Sequence, residues 1–551
     1  MQITPGKTTV DLVRSLRLWI DRNFIELGRE LRLSYLPPLM VYLAAGISGL
    51  TAIVGTFFVK EYLGLSAEFL AALGFWAMLP WSLKLPIGHL VDIIWRFKGW
   101  LVFVGAALIA ASLLIMFGLL HDRTWMETLL PASNWYVIST LLAPVGYVVQ
   151  DVVADAMTVE AVPRVDESGQ HYPVATERLM HSTMQTLGRV SVIFGTLIVA
   201  LVNVLVFSGS ESLGETQKVT LYEHLYLMAL SIPVISCSGV FLAAWLWRQQ
   251  RRRLRKMGYT RIEVDRMTVF HGESTQPNWW ILGGGLAFTL VSILVGMASW
   301  KFGQEAIFLI STSIILALLY RLTREMNADA RKVLVGTAVL IFFFRASPTP
   351  GPGSSWWMID ELGFDQSFMA RLSLIGSVLS LAGLFLFRRL MAERSISYIV
   401  GLLTLVGTVL SLPTISMFYG LHHWTASWSG GLIDARFIAI IDTALESPLG
   451  QISMVPMLAW IAHSAPNHLK ATFFAVMASF TNLSLALAQL GTKYLNEAFK
   501  VTREVKNAAG DVSVPADYSE LGHLLIGSTL ISLVIPFTAI LIVKLFRLRS
   551  V

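Results

Sequence analysis

Cysteine is almost absent: Cys237 is the only one in 551 residues, and it sits inside an apolar run. An intrachain disulfide, a Cys-x-x-Cys redox pair and a thiolate metal site are therefore all excluded. Charge is also scarce. Asp, Glu, Lys and Arg make up 14% of the chain, against about 25% in a soluble domain. There is no His-Glu-x-x-His, no Gly-x-Ser-x-Gly elbow and no phosphate-binding Gly-rich loop ending in Lys-Ser/Thr, which argues against zinc hydrolysis, an α/β-hydrolase nucleophile and an ATP motor in this chain. The expectation is that the protein is not an enzyme and needs no cofactor or metal. The first 35 residues hold no cleavable-signal pattern.

What is plentiful is apolar sequence, 55% of residues. It is arranged in runs of about twenty, the length a helix needs to cross about 30 Å of hydrocarbon. The pattern predicts about fourteen crossings: near 36–60, 68–93, 99–120, 132–161, 178–208 and 221–247; a shorter pair near 278–298 and 304–322; then 331–357, 365–391, 396–418, 431–463, 469–496 and 520–547. The expected fold is an all-α polytopic membrane protein of two six-helix bundles with an inserted central helix pair. Its expected divisions are a cytosolic amphipathic segment 1–35, a bundle 36–247, a basic linker with the inserted hairpin 248–330, and a second bundle 331–551.

The net charge of +6 does not point to nucleic acid, because the basic residues cluster in short breaks between apolar runs. Counting Lys and Arg by alternate loops places the heavy clusters, such as Arg251-Arg252-Arg253, on one side, and Lys60, Arg123, Lys218, Lys301, Lys500, Arg503 and Lys506 on the other. The positive-inside bias then puts both termini in the cytosol of a cell (inner or plasma) membrane. The expected partners are the lipid bilayer and a small organic substrate, and the protein is expected to be a monomer.

Charges inside the runs are the candidates for function, since a carboxylate or ammonium in hydrocarbon costs at least about 2.5–3.5 kcal/mol unless paired, hydrated or used. In Gln150-Asp151-Val152-Val153-Ala154-Asp155 the two acids are four apart and share a helix face; Glu160 lies about a turn further on. Two like charges in a low dielectric suit a carboxyl that loads and releases a proton. Lys84, in Pro80-Trp81-Ser82-Leu83-Lys84-Leu85-Pro86, is the natural countercharge; a lysine reaching out to the headgroups is the plainer alternative. Asp442 and Glu446 form a second four-spaced acid pair, and Arg189 is a further cation within a run.

Four blocks carry a resemblance. Gly88-His89-Leu90-Val91-Asp92-Ile93-Ile94-Trp95-Arg96 resembles the Gly-x-x-x-Asp-x-x-x-Arg loop of the major facilitator superfamily, which implies a gating role for Gly88, Asp92 and Arg96. The Gln-Asp-x-x-x-Asp element resembles the folate–biopterin transporter family and the related muropeptide-permease and acetyl-CoA-transporter families. Phe342-Phe343-Phe344-Arg345-Ala346-Ser347-Pro348-Thr349-Pro350, Trp356-Trp357 and Leu362-Gly363-Phe364 are similar to the folate–biopterin pattern, as is the stretch from Pro456 through Pro466 to Asn482. The chain departs from that family at Asn467-His468-Leu469-Lys470, where the family usually has Gly-x-Glu, and in the inserted hairpin.

The resemblance implies proton-coupled symport of folates or pterins. Asp151, Asp155 and Glu160 are candidates for proton coupling, and Lys84, Gln150, Asp151, Arg345, Trp356, Asn482 and Gln489 for substrate contact, with H⁺ as the driving ion. The alternatives are a muropeptide or acyl-CoA permease of the same superfamily, or a non-transporting membrane assembly factor on this fold.

Overall fold

The computed structural model describes residues 31–548 apart from 64, 164–165, 167–169, 171, 269–276, 299, 325–326, 388–389, 391–393, 451, 453–469 and 507–511. The expected amphipathic lead-in over 1–30, residues 453–463 of the run near 431–463 and the Pro456–Pro466 stretch lie outside the described residues.

The first half is built from six crossings. The first is α1 (Leu36–Ile47) and α2 (Ala52–Tyr62), joined by a 3-10 turn at Ser48–Thr51. The second is α3 (Ala67–Met78), a 3-10 turn Leu79–Leu83, and α4 (Lys84–Ile93). The next are α5 (Gly99–His121), the short α6 (Arg123–Leu129), α7 (Ala132–Ala161), α8 (Val174–Phe207), and α9 (Glu215–Ala229) running into α10 (Ser231–Lys256). Then follow α11 (Arg261–Thr268) and the inserted hairpin α12 (Trp279–Met297) and α13 (Gly303–Thr323). The second half comprises α14 (Ala328–Arg345), α15 (Pro352–Asp360), α16 (Gln366–Leu386), α17 (Ile396–Phe418), α18 (Leu421–Trp428), α19 (Ala435–Glu446), α20 (Lys470–Ala498) and α21 (Leu521–Leu545). A small antiparallel ribbon, β1 (Val505–Lys506) with β2 (Val512–Val514), lies between the last two helices.

Among the described residues ten helical stretches are long and apolar enough to cross a membrane, against about fourteen expected. The difference lies in the second half, and at one of its runs it has a local cause. The run near 331–357 is broken at Ala346–Gly351, where Pro348, Pro350 and Gly351 (φ +78°) end one half-helix and start another. Prolines release backbone groups that hydrocarbon cannot satisfy; here neighbouring helices satisfy them. Thr492 accepts from the Thr349 N–H at 3.0 Å, Asn496 donates to the Pro350 carbonyl at 3.1 Å, and Ser532 donates to the Pro348 carbonyl at 3.2 Å. A side chain on Gly351 would meet Asn496 at 2.9 Å, so glycine is needed there for space as well as for its positive φ.

Small residues let the helices of the first half close on one another, the usual membrane solution where lipid is as apolar as Leu. A Cβ on Gly46 of α1 would lie 2.2 Å from the Val192 carbonyl of α8, and one on Gly146 of α7 would lie 2.6 Å from the Gly105 carbonyl of α5. Ser112 and Ser139 add a buried hydroxyl pair at 2.9 Å between α5 and α7. The second half packs α14, α17, α19, α20 and α21 among themselves, and the halves meet along two seams, α3–α4 against α20 and α8 against α16.

Candidate functional site

The 3-10 turn at Leu79–Leu83 ends at Lys84, the first residue of α4, and aims its ammonium at α7. Lys84 pairs directly with Asp151 and stands 3.8 Å from Asp155. Two acids thus share one ammonium, and the Trp81 ring lies 5.6 Å from the same nitrogen. The second acid has its own donor: the Tyr42 hydroxyl of α1 gives Asp155 a hydrogen bond of 2.5 Å. Gly188 of α8 makes room for that ring, since a Cβ there would sit 3.0 Å from it. Arg189, the next residue, is within electrostatic reach of Tyr42, Lys84 and Asp155. Four helices therefore converge on one charge cluster: α1, α4, α7 and α8.

Access differs across the cluster. Lys84 and Asp151 side chains are 16% and 20% exposed, whereas Asp155, on a helix long and apolar enough to cross a membrane, is 47% exposed. Asp155 and Arg189 are the exposed members of the cluster. Its backbone carbonyl accepts from Thr158 at 2.7 Å, and Gln185 of α8 reaches Thr158 at 3.3 Å.

Lys84, Asp151 and Asp155 thus lie together; other expected contacts lie elsewhere. Gln150 is buried and donates to the Val102 carbonyl at 3.0 Å and to Ser236 at 2.9 Å, so its amide is spent on packing α7 against α5 and α10 rather than on a substrate. Glu160 bonds Lys98 at 2.5 Å, and Lys98 lies over the Trp95 ring at 4.2 Å. Burial pushes the Lys98 ammonium down, with Glu160 opposing. Glu160 is therefore tied at the helix end, apart from Lys84, Asp151 and Asp155.

Trp356 is 2% exposed, with the Arg503 guanidinium 5.2 Å over its ring, and presents no free stacking face here. Asn482 donates to the Trp81 carbonyl at 3.5 Å, and Gln489 lies against Gly74, where a Cβ would meet it at 2.7 Å. Both hold α20 to the second crossing. Arg345 closes α14 at the helix break, half-buried, on the bundle opposite Lys84. Asp442 faces Thr414 of α17 at 3.5 Å, apart from the cluster helices.

The two ends of the molecule are in different states. At the end holding Gly88, Asp92 and Arg96, both charged side chains are exposed and neither makes an ion pair with another described residue. At the other end the halves are tied by Lys60 with Asp360, by Gln366 donating to Tyr222 at 2.6 Å, and by Arg503 donating to the carbonyls of Leu63 and, at 3.2 Å, Leu65, while Tyr518 of the second half donates to the Asp360 carboxylate of that same half at 2.5 Å. Arg503 is only 4% exposed.

Tyr42 and these end ties went unread in the sequence. A tyrosine in an apolar run is ordinary, and Lys60 and Arg503 look like loop charges. We expect Tyr42→Phe to keep the ring on Gly188 but lose a hydrogen bond to a charged group worth about 1.5–3 kcal/mol. Initial substrate flux in reconstituted vesicles should fall by about tenfold or more at unchanged protein level; equal flux would make Tyr42 a packing residue only.

Comparison with known proteins bears on the family and the fold. The BT1 family model matches residues 45–547. A curated relative from Synechocystis sp., named folate-biopterin transporter, is 23% identical over 471 residues, covering 85% of this chain and 75% of its own. Among solved structures, a POT family transporter in complex with 5-aminolevulinic acid aligns with a TM-score of 0.58 at 13% identity, over 93% of this chain and 96% of its own. A mutant peptide transporter POT in complex with sulfate gives 0.55 at 15%, over 93% and 95%. A mutant of the nucleoside transporter NupG gives 0.50 at 10%, over 92% and 99%. At these identities the structural likeness establishes the fold.

Proposed function

The chain belongs to the BT1 family, and from that membership we propose that this multi-pass transporter carries a folate- or pterin-type organic anion across a cell membrane, coupled to protons, by alternating exposure of the Lys84–Asp151–Asp155 cluster. The observation that carries the reading is the state of Asp155: one of two acids sharing a single ammonium, held by Tyr42, yet open to solvent. The printed name of the Synechocystis relative supports the substrate class.

The charge arithmetic supplies the coupling. Lys84 and Arg189 bring two positive charges, and Asp151 and Asp155 bring two negative ones. A proton on Asp155 leaves the cluster one positive charge in excess, on the side that solvent reaches, and an anionic carboxylate is the complement of that excess. Binding of proton and anion then favour each other, and linkage makes the coupling reciprocal. Arg345, across from the cluster at the break between α14 and α15, has the planar fork suited to a second carboxylate oxygen pair. Discontinuous helices at the midplane between repeated halves are where secondary transporters place substrates.

With both termini cytosolic, the tied end is the outer one and the exposed Asp92–Arg96 loop faces the cytosol. The conformation is then closed outside, and Asp155 meets the cytosolic solvent.

The test is uptake of labelled folic acid and biopterin by proteoliposomes of purified protein, with and without an inward proton gradient. Gradient-stimulated accumulation of either compound is the expected result. No uptake of either, from protein that elutes as a single folded species, retires the folate–pterin assignment.

A further inference from the structure

The hairpin α12–α13 belongs to neither bundle, and its contacts are divided between them. α12 is scarcely covered, with 6% of its span buried, and it touches the second crossing at a few points. The Asn278 N–H donates to His89 Nε2 at 2.8 Å, a Cβ on Gly285 would sit 2.6 Å from Pro86, and one on Gly296 would sit 3.6 Å from the Trp76 ring. α13 lies instead along α20 of the second bundle. One leg thus rides on each half, on the outside of the α3–α20 seam.

At the start of α13 two consecutive residues hold opposite halves. Gln304 donates to the Ala72 carbonyl of α3 at 2.9 Å. Glu305 takes the Tyr494 hydroxyl and faces the Lys493 ammonium of α20 at 3.6 Å. These contacts lie toward the tied end, in the same stretch where Gly74 meets Gln489. Each of the two side chains also keeps one buried oxygen without a hydrogen bond, Gln304 Oε1 and Glu305 Oε2. An ion pair placed at a lipid-facing seam with an oxygen unsatisfied is a poor device for stability alone; the best-attested use of such pairs is to specify one arrangement over another.

We propose that the hairpin is a strap across the α3–α20 seam, with Gln304 gripping one bundle and Glu305 the other, and that it holds this end of the transporter closed. Separation of the bundles there must break the Gln304–Ala72 bond or the Glu305–Lys493–Tyr494 grip. The strap is a matter of bundle movement and is independent of which solute or ion the protein carries.

The experiment is pulsed electron–electron distance measurement between spin labels on Leu129→Cys and Leu432→Cys, both exposed on the tied end's loops, in a Cys237→Ala background reconstituted in nanodiscs without substrate. Gln304→Ala and Glu305→Gln should each raise the ratio of long to short distances by about fivefold, the effect of one lost hydrogen bond. The exchange Glu305→Lys with Lys493→Glu should return the short distance, which a generally loosened fold would not do. Lys60→Ala, which removes the ion pair with Asp360 at this end, is the control for opening. A distribution that lengthens in Lys60→Ala but is unchanged in both Gln304→Ala and Glu305→Gln overturns the strap.

Discussion

Asp155→Asn abolishes concentrative uptake while leaving exchange of labelled for unlabelled substrate. The side chain keeps its size and its contact with Tyr42, but it no longer changes charge. A proton gradient drives accumulation only through a group that binds the proton differently in the two states. One proton moving down one pH unit is worth about 1.4 kcal/mol, so a one-unit gradient sustains up to about tenfold accumulation in the wild type. The variant should stop at the ratio the substrate reaches without a gradient. Counterflow needs only the rocking of the loaded carrier and should persist. Concentrative uptake by Asp155→Asn at the wild-type level would move the coupling to another acid, with Asp151 the first to examine, as it shares the same ammonium.

Lys84→Ala has a larger effect of a different kind: loss of the folded protein. Lys84 is the direct partner of Asp151 and 3.8 Å from Asp155. Removing one member of a buried pair costs about 3–5 kcal/mol, because the charge left behind is neither hydrated nor compensated. That is a large part of the total stability of an ordinary domain, about 5–15 kcal/mol. Detergent-solubilised Lys84→Ala should therefore give little monodisperse protein in size-exclusion chromatography. Adding Asp151→Asn removes the stranded charge and should restore the folded peak without restoring transport. A well-folded Lys84→Ala would mean that Arg189, or water from the side that reaches Asp155, compensates both acids.

Much of this was legible in the sequence, for a physical reason. Charge is so expensive in hydrocarbon that Lys84, Asp151 and Asp155 stand out against apolar neighbours, and the four-residue spacing already puts the acids on one face. The break between α14 and α15 is written in Pro348, Pro350 and Gly351. The hairpin appears as two shorter apolar runs, although nothing in its sequence says that Gln304 and Glu305 face different bundles.

The contacts that the sequence does not show share a cause. Gln150 is next to Asp151 in the chain, but one residue along a helix turns the side chain by about 100°, here into the α5–α10 packing. Trp356 and Gln489 are polar or aromatic enough to suggest a ligand, but whether such a group meets solute or a neighbouring helix depends on how the bundles dock. Lys60 and Arg503 were counted as loop charges; only the assembled structure places them in cross-bundle ties with Asp360 and with the Leu63 and Leu65 carbonyls.

The account's central claim is that one cluster binds both the proton and the anion. The most direct measurement is the internal pH of proteoliposomes, read with a trapped pH-sensitive dye, when folic acid is added outside at equal pH on the two sides. The account predicts acidification of the lumen on substrate addition by the wild type and none by Asp155→Asn. Substrate entry into wild-type vesicles with no change in internal pH would contradict it.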